Sequence, residues 1–172
     1  KIDCNDSDCF SHPYCQKPTG EFYKILKTNK TMIIDGDVSE FNGANEIVLT
    51  NPDTGTIGRY KLMWDEDALY ISANVSDDEL NYVVAGRDGS GIWNDDSIEM
   101  FFDIGNNKSI SMDLDDYKFF VNVNNTQMDY RGVVGTGWNI SFNSNVRISA
   151  TGYLIEMAIP WEAWGAVVPN EN

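Results

Sequence analysis

Residues 92–105, IWNDDSIEMFFDIG, combine a loop that carries one tryptophan, an acidic turn and an amphipathic strand. The acidic turn is formed by Asp95 and Asp96, and after it apolar side chains return at every second residue, which is the period of a β-strand. One face of that strand would hold Ile98, Met100, Phe102 and Ile104, and the other would hold Ser97, Glu99, Phe101 and Asp103. The first face can pack into a core, so the second is predicted to turn a carboxylate and a phenyl ring outward.

Trp93 lies six residues ahead of Glu99, and this pair allows two interpretations. A flat indole with a hydrogen-bond acceptor beside it suits a sugar ring, which has an apolar face and a polar rim. Alternatively, Trp93 packs inside the domain and Glu99 is a solvated acid.

The composition restricts the partners of the chain. At 172 residues, 42% of them hydrophobic, it is about one globular domain with its own core. The 27 Asp and Glu residues outnumber the 12 Lys and Arg, and the formal net charge is −15 at pH 7. Such a field repels nucleic acid and anionic membrane surfaces, and no apolar run approaches the about 20 residues that span a bilayer. We therefore expect no nucleic acid and no membrane insertion, which leaves neutral glycans and divalent cations.

The carboxylates gather in short clusters, which favours a structural Ca²⁺, since calcium takes about six to eight hard oxygen ligands. The predicted metal ligands are Asp35, Asp37, Asp77, Asp96, Asp113, Asp115 and Asp116. Aspartate is also common in turns, so solvated turn residues are the alternative for each cluster.

Residues 1–18 are set apart by three cysteines, Cys4, Cys9 and Cys15, and no cysteine follows them. The run CNDSDC at residues 4–9 resembles the end of an acidic, cysteine-containing extracellular repeat of the thrombospondin type 3 kind. The resemblance implies that the natural protein extends N-terminal of Lys1. Because the number of cysteines is odd, we expect one disulfide within the segment and a partner for the third cysteine upstream or in another chain. Disulfides persist outside the cytosol, so an extracellular or cell-surface location is predicted.

Residues 19–172 are predicted to form one β domain. Segments with apolar residues at alternate positions recur along it, for example residues 68–75 and 113–125, and helical periodicity is scarce. Pro160 turns the chain out of the last strand, because proline cannot continue a central strand. The predicted fold class is all-β, an antiparallel β-sandwich of the immunoglobulin-like or jelly-roll type.

Six motifs in a fixed order, over about residues 32–164, resemble the family 9 carbohydrate-binding modules. They are Ile34-Asp35-Gly36 with Glu40; Leu62-Met63-Trp64-Asp65 with Leu69-Tyr70; Val75-Ser76-Asp77; Trp93 with Asp96-Ser97-Ile98-Glu99 and Phe102-Asp103; Asp115-Asp116-Tyr117-Lys118-Phe119; and Gly152-Tyr153 with Glu156 and Ala158-Ile159-Pro160-Trp161. The resemblance implies a calcium-stabilised β-sandwich that binds the ends of sugar chains, usually attached to xylan- or cellulose-degrading enzymes. It places Trp93 at the position of a sugar-stacking tryptophan and Glu99 at that of a sugar-binding carboxylate.

The chain departs from the family pattern at two places. After the Asp-Asp pair the family has a glutamine and an arginine, whereas this chain has Lys118 and Phe120. The second wall of the family's aromatic clamp comes from a segment beyond the Pro-Trp motif, so the domain is expected to be incomplete at its C-terminus. Trp138 and Trp164 are candidates for that wall, and Trp161 is expected in the core. The predicted ligand-binding residues are Trp93, Glu99, Lys118, Asn122 and Trp138.

Catalysis is not expected. Glu99 and Asp103 lie about 13 Å apart along a strand, which is beyond the separation of the carboxylates in glycosidases, and the domain has no histidine for a Ser-His-Asp triad. The expected function is a non-catalytic glycan-binding module of a larger extracellular protein, for a β-glucan or xylan type of polysaccharide or oligosaccharide.

Two alternatives remain open. The first is a structural or adhesive cell-surface module with the same fold and a degraded sugar site, whose partners would be other domains of the same chain or, in self-assembly, other copies. The second is a haem-binding sandwich domain. Its candidate iron ligands are Met100, Met112, Met128 and Lys118, although methionine is more often a core filler.

Overall fold

The computed structural model describes residues 23–170. The cysteine segment, with its predicted repeat and disulfide, lies outside the described residues. The strands are β1 (Leu26–Lys27), β2 (Glu46–Thr50), β3 (Ile57–Trp64), β4 (Ala68–Ser76), β5 (Ser97–Asp103), β6 (Asp116–Asn122), β7 (Gln127–Arg131), β8 (Asn143–Ser149) and β9 (Gly152–Pro160), followed by the short helix α1 (Trp161–Trp164). No helix within the described range is long and apolar enough to cross a membrane.

The strands form two sheets. The large sheet has the order β1-β3-β4-β9-β8, and β2 pairs with the first half of β3 on the edge that β1 occupies further along. The small sheet has the order β5-β6-β7. Every pairing is antiparallel except the short one between β1 and β3. The predicted antiparallel β-sandwich is therefore confirmed.

The main core lies between the two sheets. Alternate residues of β4 and β9 face it from the large sheet, and alternate residues of β5 and β6 face it from the small one, as period-two patterning requires. Its fully buried members include Ile71, Phe119, Val121, Ile155, Met157 and Ile159. Each such side chain contributes about 1.5–3 kcal/mol through burial. Trp161 and Trp164 of α1 close one end of this core, which confirms the prediction for Trp161 and places Trp164 inside as well.

The strand predicted from residues 97–103 exists as β5, and its faces are as expected. Ile98, Met100 and Phe102 belong to the core, while Glu99 and Phe101 are exposed on the opposite side. Ile104 does not follow the pattern: β5 ends at Asp103, and the side chain of Ile104 is 40% exposed.

A smaller apolar cluster covers the side of the large sheet that faces away from the main core. Phe41, from the segment before β2, packs there against Tyr70 and Ala158. Beside this cluster lies Glu156 of β9, which is fully buried. Its Oε2 accepts the backbone N–H groups of Asp35 and Gly36 at 3.1 and 2.6 Å, whereas its Oε1 has no hydrogen-bond partner in the described structure. Burial raises the pKa of Glu156 to about 7 although these two hydrogen bonds oppose the change.

Candidate functional site

The loop that carries Trp93 is fastened to the small sheet through the buried carboxylate of Asp95. Oδ1 accepts the N–H of Val83 at 2.9 Å, and Oδ2 accepts the N–H of Val84 at 3.1 Å and the side-chain amide of Asn122 at 2.8 Å. Burial acts to raise the pKa of Asp95, but these three hydrogen bonds outweigh it and lower the pKa. The carboxylate therefore stays charged and holds the loop against the side of the small sheet that faces away from the main core.

Trp93 is displayed by a sharp turn in this loop. Gly91 adopts the left-handed conformation, with φ at 95°, and a single turn of 3₁₀-helix follows it. Ile92 is fully buried against Phe120 and Met128, whereas the side chain of Trp93 is 52% exposed. Ile92 thus anchors the turn, and the neighbouring indole is presented to solvent.

The outward face of the small sheet continues this surface. Glu99 and Phe101 stand on β5, and Phe101 pairs across the ladder with Lys118 of β6, which in turn pairs with Tyr130 of β7. The Lys118 Nζ lies 4.7 Å from the ring centroid of Phe101 and 5.4 Å from that of Tyr130. The ammonium group is therefore held by two cation–π contacts. We call the surface formed by Trp93, Glu99, Phe101, Lys118 and Tyr130 the outer face. Tyr130 was not among the ligand-binding residues predicted from the sequence. The only signal for it there was its alternation with Asp129, which places the two side chains on opposite faces of a strand.

Glu99 offers an acceptor that the protein itself does not use. Its carboxylate makes no hydrogen bond within residues 23–170. Partial burial raises its pKa, and the positive charge of Lys118 partly offsets that shift. A carboxylate with open acceptor positions beside a cation can receive hydrogen bonds from the hydroxyl groups of a neutral ligand.

Asn122 has a structural role, although it was predicted to contact a ligand. The residue is fully buried, and its amide group donates to the carbonyl oxygen of Val84 and to Asp95, each at 2.8 Å. Its Oδ1 accepts the N–H groups of Asn124 and Thr126 at 3.1 and 2.8 Å. The hydrogen bonds of Asn122 are thus made inside the protein, and none faces the outer surface.

Trp138 does not lie on the same side of the small sheet as Trp93. Its ring centroid lies 5.0 Å from that of Tyr117 and 6.3 Å from that of Phe119, and both of these residues face the core side of β6. Trp164 is buried on the same side, and its ring centroid lies 5.4 Å from that of Phe119. Neither tryptophan can supply a second wall opposite Trp93, because the small sheet lies between them.

A cavity lies on that other side of the small sheet. It has a volume of about 380 Å³, and its lining includes Tyr117, Arg131, Trp138 and Trp164. The indole N–H of Trp164 is buried and has no hydrogen-bond partner in the described structure. A ligand bound in the cavity and one bound on the outer face would therefore contact different tryptophans.

The predicted metal ligands are distributed over separate turns. Asp35 and Asp37 each accept a backbone N–H two residues ahead, at 2.9 and 3.0 Å, and Asp77 accepts the N–H of Glu79 at 3.1 Å. These three carboxylates therefore stabilise turns. Burial raises the pKa of Asp96, and the neighbouring charge of Asp77 adds to the increase.

Of the predicted ligands Asp113, Asp115 and Asp116, the carboxylates of Asp113 and Asp115 come together just before β6. The Asp113 carboxylate hydrogen-bonds to that of Asp115, which lowers the pKa of Asp113 and raises that of Asp115. Asn107 Nδ2 lies 3.0 Å from Asp113 Oδ2, and Asp103 is near enough for its charge to raise the pKa of Asp115. Asp116 Oδ2 instead accepts the backbone N–H of Asp113 at 2.8 Å. No group of three or more His, Cys, Asp or Glu side chains within residues 23–170 converges as a metal site.

The candidate haem ligands are divided between the two faces of the small sheet. Met100 packs into the main core, whereas Met128 lies beneath Ile92 on the opposite side. Lys118 is engaged between two aromatic rings on the outer face. Met100 cannot therefore share one iron with Met128 or Lys118.

Comparison with known proteins gives one consistent result. The profile "Carbohydrate family 9 binding domain-like" matches residues 34–172. Endo-1,4-beta-xylanase A of Thermotoga maritima is 33% identical over 149 residues, and the Exoglucanase XynX of Acetivibrio thermocellus is 30% identical over 135 residues. These matches cover 83% and 76% of this chain but 13% and 12% of the two enzymes, so the chain spans about an eighth of their length.

Solved structures agree with these matches. A family 9 carbohydrate-binding module from Caldicellulosiruptor kristjanssonii in complex with glucose has a TM-score of 0.66 and 28% identity, over 86% of this chain and 71% of that one. A family 9 module from the same organism in complex with cellotriose has a TM-score of 0.60 and 29% identity, over 79% and 66% of the respective chains. A carbohydrate-binding protein candidate from Bacteroides uniformis, 16% identical with a TM-score of 0.59 over 85% and 75% of the two chains, shares the fold.

Proposed function

This chain belongs to the carbohydrate family 9 binding domains, and from that premise we propose that its outer face binds a neutral glycan, with Trp93 as the stacking platform and Glu99 as the hydrogen-bond acceptor. The observation that carries the proposal is a carboxylate whose acceptor positions are open, on the same side of the small sheet as the turn that exposes an indole. The family assignment agrees with the motif series found in the sequence.

The chemistry of the outer face suits a sugar. A pyranose has a C–H face that gains dispersion energy against a flat ring, and hydroxyl groups that donate to a carboxylate in charge-assisted bonds of about 1.5–3 kcal/mol each. Lys118 can donate to ring or hydroxyl oxygens beside Glu99. The net charge of −15 does not oppose a neutral ligand. Because one aromatic wall carries the stacking, we expect weak affinity, with a Kd of about 0.1–1 mM.

The domain is a non-catalytic module. The xylanases match it over 13% of their length, and the solved relatives are carbohydrate-binding modules. We propose that it serves a larger extracellular protein by holding it against polysaccharide, of the β-glucan or xylan type. Glucose and cellotriose, which the solved relatives hold, are the natural first ligands to test.

Glu99→Gln is expected to weaken binding of cellotriose about tenfold, because a neutral amide loses the charge-assisted bond from the sugar hydroxyls. Isothermal titration of the wild type and the variant with glucose, cellotriose and xylotriose measures both affinity and ligand class. Glu162→Gln, an exposed carboxylate on α1, is the matched control and should bind as the wild type does. Equal affinity in wild type and Glu99→Gln would remove Glu99 from the site.

We propose in addition that calcium supports the fold through the acidic loop between β5 and β6. The carboxylates of Asp113 and Asp115 lie on the same amide nitrogen, with Asn107 Nδ2 3.0 Å from Asp113 Oδ2 and 3.4 Å from both oxygens of Asp115, and they stand close enough to share a proton. Such hard oxygen ligands suit calcium. An ion between these two carboxylates would replace that proton and relieve their repulsion.

Calcium is accordingly expected to raise the melting temperature relative to EDTA. An ion that binds only the folded state stabilises it by about 2.7 kcal/mol at a hundredfold excess over its Kd. Differential scanning fluorimetry in EDTA and in millimolar calcium measures the effect, with magnesium as the competing ion. Asp115→Asn should reduce the calcium response, and Asp53→Asn, in the exposed turn before β3, should retain it. A midpoint that is identical in EDTA and in calcium contradicts this proposal.

A structural or adhesive module is the second candidate, and one observation favours it. The position where the family has an arginine holds Phe120, which is buried beneath Ile92 and cannot contact a ligand. A folded wild type that binds no oligosaccharide in the titrations above would select this alternative.

A further inference from the structure

Phe101 is the residue of the outer face whose position the proposed function leaves unexplained. It lies in the middle of a regular strand, and its side chain is 57% exposed. Exposed apolar side chains are common on protein surfaces, and what distinguishes Phe101 is its place two residues after Glu99 on the same face of β5, where a ligand that extends along the strand would meet it.

The ring is held in place from the β6 side. Lys118 Nζ sits 4.7 Å from its centroid, and the ring of Phe120 packs edge-on at 6.3 Å with an interplanar angle of 65°. Tyr130 holds the same ammonium group from the other side, at 5.4 Å. These contacts fix Phe101 before any ligand arrives, which reduces the conformational entropy that binding would otherwise cost.

The turn that carries Trp93 and the outward side chains of β5 follow one another along the strand, and this order gives the proposed site a direction. The 3₁₀-turn that carries Trp93 is tied to the first residue of β5, because Ser97 Oγ donates to the carbonyl oxygen of Ile92 at 3.3 Å. Glu99 comes next on the outward row, and Phe101 follows it at about 6.7 Å, the spacing of alternate residues in a strand. That step is comparable with the length of one sugar unit in a chain.

We propose that Phe101, with Lys118 and Tyr130 behind it, forms a second subsite that receives the next units of a β-linked glucan chain whose first unit lies on Trp93 and Glu99. The inference rests on the proposed function and adds the length of the ligand to it. The apolar face of the further unit lies against the phenyl ring, and its rim accepts a hydrogen bond from the Lys118 ammonium. The outer face is therefore selective for oligosaccharides over monosaccharides.

The test compares two ligand lengths in one variant. Phe101→Ala is expected to lower the affinity for cellotriose about fivefold while the affinity for glucose stays within about twofold, because only the longer ligand reaches the second subsite. Phe101→Tyr keeps a flat ring and should restore the preference for cellotriose. Ile148→Ala is the matched control, since Ile148 is 56% exposed on a strand of the other sheet.

Each outcome decides the inference. An unchanged ratio of cellotriose to glucose affinity in folded Phe101→Ala contradicts it, and so does an equal loss for both ligands, which would make Phe101 a support for the first subsite. A change in sedimentation of Phe101→Ala with unchanged sugar binding would instead assign the ring to contact between copies of the chain. If the wild type binds neither sugar, the proposed function fails and the subsite fails with it. If it binds both equally, only the subsite fails.

Discussion

Trp93→Ala is expected to reduce the affinity for glucose and cellotriose by at least about tenfold, and in practice to below detection, while the domain stays folded. The proposed ligand contact uses the exposed surface of the indole, whereas Ile92 beside it makes the buried contacts of the turn, so the loss of the indole should cost the fold little. Isothermal titration gives the affinity, and thermal unfolding should show a midpoint close to that of the wild type.

Trp138→Ala provides the contrasting variant. This ring packs on Tyr117 and Phe119, so its removal should destabilise the domain by about 3–5 kcal/mol. Where the variant remains folded, its sugar binding should be retained. Should Trp93→Ala unfold the domain and Trp138→Ala abolish binding, the roles of the two tryptophans would be exchanged and the outer face would lose its function.

The second large effect concerns Glu156 and pH. The pKa of this carboxyl rises from its usual 4.5 to about 7 in the folded domain, first because it is buried and further because Glu40 and Asp35 add negative charge nearby. Between these two pH values the folded chain holds a proton that the unfolded chain has released. Raising the pH through this window therefore lowers the free energy of unfolding, by about 3 kcal/mol in total.

Glu156→Gln should remove most of this pH dependence, since the amide cannot ionise and its oxygen can still accept the N–H groups of Asp35 and Gly36. Urea unfolding at pH 5 and pH 8 gives the two free energies for each protein. Burial also raises the pKa of Asp129, to about 6, so the difference between wild type and variant is the informative quantity and not the wild-type curve alone. Parallel curves for the two proteins would show that Glu156 is not the group responsible.

The sequence predicted those features that depend on local alternation. The period of two in residues 97–103 was enough to assign Ile98, Met100 and Phe102 to the core and Glu99 to the opposite face. Successive side chains of a strand point to opposite faces of the sheet, so the assignment of one residue determines that of its neighbours. The same rule failed for Phe120 and Asn122, which alternate outward but are buried. The loop before β5 covers them, and its path depends on hydrogen bonds from Asp95 to residues 11, 12 and 27 positions away.

Trp138 shows the same limit. It was predicted to bind the ligand, but contacts with Tyr117 and Phe119, distant in sequence, place it on the core side of the small sheet. The acidic clusters were visible in the sequence, yet their roles were not separable there. Asp35, Asp37 and Asp77 accept nearby backbone N–H groups, whereas Asp113 and Asp115 face one another, and only their relative positions in space distinguish the two cases.

An NMR titration of the ¹⁵N-labelled domain with cellotriose would locate the bound sugar on one side of the small sheet or the other. We expect the indole N–H resonance of Trp93 and the amide resonances of Glu99, Phe101 and Lys118 to shift together along one binding curve, while the indole resonances of Trp138 and Trp164 stay in place. Shifts confined to Trp138 and Trp164, which line the cavity on the far side of the small sheet, would contradict glycan binding on the outer face, as would a spectrum that cellotriose leaves unchanged.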